Sequence, residues 1–250
     1  MLNYPRLLFL FSLFVLWLSD QIGGYLRKRR PLREEEREDF GIVQAATLTL
    51  LALIIGFSYS MAIERYDQRK NYEEAEANAI GTEYVRADLL PAGETAKVQA
   101  LLRNYLDQRI LFYKARDEEE LGPINARTAQ LQSEMWSGVK VPASAQPTAM
   151  LALVVWGMND VLNSQGYTQA AWWNRIPIAA WGLMAGIAIC CNLLVGYGAH
   201  NAKVEARLLL VLPLVVALSF MLIADIDSPR GGIIRVLPQN LLSLSQSLTP

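Results

Sequence analysis

Charge arrives abruptly at Glu64-Arg65-Tyr66-Asp67-Gln68-Arg69-Lys70, directly after an uncharged apolar run over 41–63, and continues through Glu73, Glu74, Glu76 and Asn78. On a helix, Arg65 and Arg69 share a face, as do Arg69, Glu73 and Glu76, so i,i+4 ion pairing is available at tenths of a kcal/mol per pair. That is the ordinary use of such a segment. Several copies around an axis would instead turn the same residues into charged rings that concentrate ions of one sign. Arg65, Asp67, Arg69 and Glu76 are therefore the candidate mouth charges of a pore. The run before them carries a stripe of small residues, Ala45, Thr49, Ala52, Gly56 and Ser60, spaced three or four apart. Small faces let helix backbones approach closely in lipid, where packing drives association. The functional alternative is that Thr49, Gly56 and Ser60 line a narrow pore, offering hydroxyls and an apolar constriction to a permeant ion. Gly182, Gly186 and Cys190 form a second such stripe, read as a helix-packing face.

Other reactive types are sparse. Asp20, Asp225 and Asp227 fall near the ends of apolar runs, where a carboxylate reaches water, so they are not read as a proton path. The single histidine, His200, lies in a short link. Cys190 and Cys191 are adjacent and cannot form an ordinary disulfide with each other. No HExxH, GxSxG, phosphate-binding glycine loop or Cys/His metal spacing occurs. No enzyme activity, cofactor or metal is expected.

The elements that must hold these residues are membrane helices. Charges are nearly absent from four windows, 7–26, 41–63, 176–199 and 208–224. Each is near the ~20 residues an apolar helix needs to cross a bilayer, the last at the short end. The first could serve as a signal-peptide core, but Ser19-Asp20-Gln21 lacks a small-x-small cleavage site, and it is read as a retained crossing. No helix breaker follows the second window until Pro91. One helix of about 50 residues, on the order of 75 Å, is therefore expected to leave the lipid and continue into water.

Residues 64–175 then read as a helical extramembrane insert. Val98, Leu101, Leu102, Tyr105, Ile110, Phe112 and Tyr113 give a helix over 94–116 one apolar side. Leu121-Gly122-Pro123 marks a turn with Pro123 at a first helical position, and Ile124, Thr128, Leu131 and Met135 trace the next helix. Residues 141–147 read as a loop. A further helix, 148–173, is continuously apolar for only about ten residues, too few to span. Trp172 and Trp173 suit a headgroup-level re-entry. In the tail, Leu241, Leu244 and Leu248 recur at helical spacing, a segment that could lie on the bilayer or dock on the insert, docking being the more ordinary outcome. The expected divisions are 1–63, 64–175, 176–224 and 225–250.

A net charge of -1 with 52% apolar residues gives no reason to expect nucleic acid as a partner. The link Arg27-Lys28-Arg29-Arg30-Pro31-Leu32-Arg33, with Lys203 and Arg207 on the link sharing its side, would hold those links in the cytoplasm. Both termini and residues 64–175 then lie outside. Arg65, Arg69, Lys70 and Arg175 form the opposing count.

Several stretches carry a resemblance. Gly56-Phe57-Ser58-Tyr59-Ser60-Met61-Ala62 followed by Arg65-Tyr66-Asp67-Gln68-Arg69, then Glu76-Ala77-Asn78-Ala79-Ile80-Gly81-Thr82, Tyr84, Arg86 and Leu89-Leu90-Pro91, resemble bacterial bestrophin-like membrane proteins, a family labelled as a domain of unknown function. Asp225-Ile226-Asp227-Ser228-Pro229-Arg230, Gly232 and Ile234-Arg235-Val236 extend the match. The resemblance implies a relation to bestrophins: pentameric anion channels with four crossings, a helical part between the second and third, and a pore along the second. True bestrophins keep that part in the cytosol, opposite to the orientation drawn from charge, and their aromatic neck run has no matched counterpart here. The expected fold class is all-α: four membrane helices with an extended helical extramembrane domain between the second and third. The expected function is a homo-oligomeric ion channel of a bacterial inner membrane, its partners being the lipid bilayer, copies of itself (five by analogy) and small ions. The alternative is a non-conducting scaffold or sensor whose helical domain binds a partner.

Overall fold

The computed structural model describes residues 4–199 and 210–248, and among them the regular structure is helical with no strand. In chain order the helices are α1 Pro5–Arg29, α2 Glu36–Arg86, α3 Ala92–Lys114, α4 Glu118–Ala145, α5 Ala149–Trp173, α6 Ile178–Gly198, α7 Val211–Asp227 and α8 Gln239–Ser247. The expectations for His200, Lys203 and Arg207 lie outside the described residues.

The chain divides into two compact units, one holding residues up to Arg65 with Arg175–Ile234, the other Tyr66–Asn174 with the chain from Arg235. The tail set apart as 225–250 is thus divided between them. Among the described residues, three helical stretches are long and apolar enough to cross a membrane, Pro5–Arg29, Glu36–Leu89 and Ala149–Gly198. With 17 residues, α7 is shorter.

In the first unit, α1 opens on Pro5, whose fixed φ suits a first helical position, and closes on Arg27, Lys28 and Arg29, cations that complement the helix dipole. It packs against α6 and α7. Its crossing with α6 depends on two glycines the sequence reading passed over. A Cβ at Gly23 would lie 2.1 Å from the Leu193 carbonyl oxygen, and one at Gly196 would lie 2.0 Å from that of Asp20. By contrast, a Cβ at Gly182 or Gly186 would meet nothing within 4 Å. Within the protomer the α1–α6 crossing is seated on Gly23 and Gly196, where backbone lies too close for a side chain, while a Cβ on the face expected at Gly182 and Gly186 meets no atom of the same chain within 4 Å. Asp20 is also placed differently: it is 3% exposed beside this crossing rather than reaching water.

Asp225 and Asp227, at the end of α7, are hydrogen-bond anchors. Asp225 accepts from the backbone N–H of Ile233 (2.8 Å) and Ile234 (2.8 Å). Asp227 accepts from the N–H of Ile176 at 3.1 Å and faces Arg65 at 3.8 Å. The chain folds back so tightly that a Cβ at Gly232 would sit 2.4 Å from the Asp225 carbonyl oxygen. No φ there is positive, so space, not backbone conformation, demands glycine. Gly232→Ala is expected to lower stability by about 1–3 kcal/mol, the usual cost of overpacking a closed site. A thermal melt matching wild type would show that the turn relaxes freely.

Helix α2 is a single element of 51 residues, with Glu36, Glu38 and Asp39 in its first turn. It stays helical through Ile63–Asp67 and ends at the 3-10 turn Ala87–Leu89 before Pro91. In the second unit, Ile80, Leu102, Tyr105, Leu131, Met135, Val154 and Met158 form the core. Two prolines expected at boundaries lie inside α4 instead. The helix starts earlier, at a cap where Asp117 accepts from the Glu120 N–H, and continues past Pro142. Each proline removes only one i→i−4 bond near an end, which neighbouring core contacts outweigh. Trp172 is also core rather than interfacial: its ring lies 5.0 Å from Phe112, while Trp173 is exposed. The tail helix α8 docks on this unit, with Leu241 fully buried and Leu244 against Gly81.

Candidate functional site

Over its apolar stretch, α2 buries Leu51, Ser58 and Ala62. At 100° per residue these three lie within a narrow arc, and Thr49, Gly56 and Ser60 fall on the opposite side. All five residues of the stripe, Ala45, Thr49, Ala52, Gly56 and Ser60, are exposed on the protomer. The Thr49 hydroxyl donates to the Ala45 carbonyl at 2.9 Å, an internal bond that keeps it satisfied in an apolar setting. A Cβ at Gly56 would meet nothing within 4 Å. Ala52 and Gly56 also border a groove of about 460 Å³ shared with Val215 and Ser219 of α7. The membrane-length window of α2 is 6% buried, whereas those of the other two candidate spans are each 28% buried.

The four expected mouth charges separate into two groups. Asp67 is exposed. Arg65 is half-buried beside Asp227. Arg69 is 1% exposed and donates to the carbonyls of Ala171 (3.3 Å) and Asn174 (3.4 Å), orphan acceptors at the end of α5. Glu76 is fully buried and accepts from Arg109, from the Tyr113 hydroxyl (3.3 Å) and from the Thr168 hydroxyl (3.2 Å). The mouth-charge expectation is corrected for Arg69 and Glu76. Both are turned into the second unit, where their charges are already engaged.

This buried cluster was missed as such, although α3 offered a signal: Arg109 is a lone charge on the apolar side that carries Tyr105, Ile110 and Phe112. Burial opposes the charged guanidinium, and the Glu76 carboxylate more than offsets that, so Arg109 is held above its ordinary range. Burial, reinforced by Glu76, pushes the Tyr105 and Tyr113 phenols up, so both stay neutral, and Tyr113 is the one that donates to Glu76. Glu73, read as a surface charge, instead caps α8, accepting from the Asn240 amide (2.6 Å) and the Leu241 N–H (3.0 Å). Glu83 is fully buried, and neither carboxylate oxygen has a hydrogen-bond partner.

A bestrophin-like domain model matches residues 7–241. The chain belongs to the bestrophin-like family. Solved structures agree with this family assignment in fold. A bacterial bestrophin homologue from Klebsiella pneumoniae, solved by Zn-SAD phasing, superposes with a TM-score of 0.65 at 14% identity, covering 97% of this chain and 95% of the other. A point variant of the Klebsiella homologue gives 0.65 at 14% identity over 95% and 97%. At that identity the likeness is one of fold. No curated protein matches the sequence. Within this bestrophin-like chain, the stripe on α2 and Asp67 are exposed on the protomer.

Proposed function

We propose that this bestrophin-like protein assembles as a homo-oligomer, a pentamer by analogy with bestrophins, and conducts small ions along α2. Thr49, Gly56 and Ser60 line the path, and Asp67 with Arg65 shapes the field at its mouth. Four crossings are part of the reading: α1, α2, α6 and α7. The observation that carries the proposal is the exposure of α2. Its membrane window is 6% buried, and the small stripe lies opposite the few side chains it buries. A helix whose packing surface goes unused in the protomer is available to neighbouring copies, and small residues permit the close approach that a narrow pore needs.

Ser60→Trp is the test. In proteoliposomes it is expected to abolish ion flux while leaving the oligomer's elution and melting temperature unchanged. Wild-type flux through a correctly assembled variant rejects the lining. The orientation, with residues 64–175 outside the cytoplasm of a bacterial inner membrane, rests on the basic Arg27–Arg33 link. Impermeant thiol labelling of a cysteine placed at exposed Asn78 in intact spheroplasts tests it, and labelling only after lysis reverses the assignment.

A further inference from the structure

Glu83 of α2 is fully buried, and both of its carboxylate oxygens lack a hydrogen-bond partner. Three residues on, Arg86 closes α2 on nearly the same face. Opposite both stands Gly157 of α5. A Cβ there would sit 2.1 Å from a Glu83 carboxylate oxygen and 2.4 Å from an Arg86 guanidinium nitrogen. Carboxylate and guanidinium thus flank one point, and yet no hydrogen bond joins them. The guanidinium lies instead over the Trp156 ring, 5.4 Å from its centroid, and that residue is 59% exposed.

An unpaired carboxylate is costly to bury, and such a group ordinarily keeps its proton. Glu83 lies some twenty residues beyond the apolar run of α2. Burial pushes its pKa up to about 8, Arg86 opposes that rise, and Asp160 of α5 adds to it. Other charges nearby are engaged: Asp88 accepts from the Gln99 amide, and Arg103 of α3 donates to the Tyr84 hydroxyl. Arg86, Gly157 and Asp160 border a cleft of about 540 Å³ between α2 and α5. Glu83 is not in that wall. A proton still reaches it through the small openings that packed helices undergo, and leaves by the same route.

We propose that Glu83 and Arg86 form a proton switch at the contact between α2 and α5. With Glu83 neutral, the guanidinium rests on Trp156, the arrangement of this structure. When the carboxyl proton leaves to solvent, the bare charge draws the guanidinium off the ring and into an ion pair beside Gly157. The absent side chain at Gly157 leaves the path between the two groups open. The surface around Trp156 changes with it: a cation covers the ring below the transition, and an uncovered indole faces solvent above it. The switch lies wholly in the second unit and stands whether or not α2 lines a pore.

The experiment uses the full chain in detergent, labelled with 5-fluorotryptophan. It follows the fluorine resonance of residue 156, assigned through Trp156→Phe, as pH is raised. In wild type that resonance is expected to titrate with a midpoint close to pH 8. Glu83→Gln keeps the neutral shape, so it should fold and hold the low-pH position throughout. Arg86→Gln removes the moving group and should lose the titration too, which keeps the test available if Glu83→Gln fails to fold. Asp160→Asn withdraws the charge that raises Glu83 and should bring the midpoint to lower pH. Melting reports the same group. A carboxyl raised by folding contributes stability that is full below its ordinary value of 4.5 and lost as pH climbs through about 8. Wild type should therefore melt progressively below Glu83→Gln across that window. The proposal is overturned if the resonance of residue 156 stays flat in folded wild type, if it titrates unchanged in Glu83→Gln or Arg86→Gln, or if Asp160→Asn moves the midpoint upward. A melting difference without movement of that resonance marks a merely structural acid and overturns it as well.

Discussion

Arg109→Ala is expected to destabilise the second unit severely, opening it to protease at physiological temperature. The substitution leaves the Glu76 carboxylate fully buried with only the Tyr113 and Thr168 hydroxyls to answer it. Removing one partner of a buried ion pair typically costs about 3–5 kcal/mol, because the remaining charge has lost its compensation. The guanidinium also stacks on Phe112, 4.3 Å from the ring centroid, so packing is lost with the charge. Against a domain stability of about 5–15 kcal/mol, the loss is a large fraction of the total. Limited proteolysis of the solubilised protein should show rapid cleavage within residues 66–174. The double variant Glu76→Leu with Arg109→Met removes both charges at similar volume and should recover much of the stability. An Arg109→Ala protein as resistant to protease as wild type would show that Glu76 simply takes up a proton at little cost.

Gly196→Val is the second large effect, and it acts in the other unit. Any Cβ at Gly196 would lie 2.0 Å from the Asp20 carbonyl oxygen, and the obstacle is backbone rather than a flexible side chain. The helices α1 and α6 must therefore separate along their whole crossing. Each loses dispersion contacts that, in lipid, no hydrophobic exclusion replaces. Overpacking against a rigid neighbour costs upwards of ~3 kcal/mol. Expression should fall and the solubilised protein should elute as aggregate. Gly182→Val and Gly186→Val, where the space is open, should elute as wild type does. Equal behaviour of all three variants would mean that the crossing is not a close one.

The apolar windows and the long helix were legible because their signals are local. A charge-free run of membrane length and the absence of proline from residue 32 through residue 90 need no knowledge of tertiary contacts. The stripe on α2 was readable for the same reason. The charges beyond it were not, because an arginine on a helix reads alike whether it faces water or caps a neighbouring helix. Arg69 and Glu76 differ from Asp67 only in which side of α2 they occupy, and that depends on where α3 and α5 lie. Glycines posed the same difficulty. Gly182 and Gly186 had the regular spacing, yet Gly23 and Gly196 carry the contact, and only the facing backbone distinguishes the two pairs. Trp172 and Trp173 are neighbours with opposite fates, one packed on Phe112 and the other in the open.

The docking of α8 on Glu73 sets an order of events during synthesis. The second unit is written in two separate stretches of the chain, and its later stretch, from Arg235, leaves the ribosome after the candidate membrane segments found among the described residues. Until then Glu73 and the seat of Leu241 stand vacant, and the unit is incomplete however long its first piece has had to fold. A premature stop just before Gln239 would therefore act like a lesion in the middle of the insert, because it removes the partners of Glu73 and the buried Leu241.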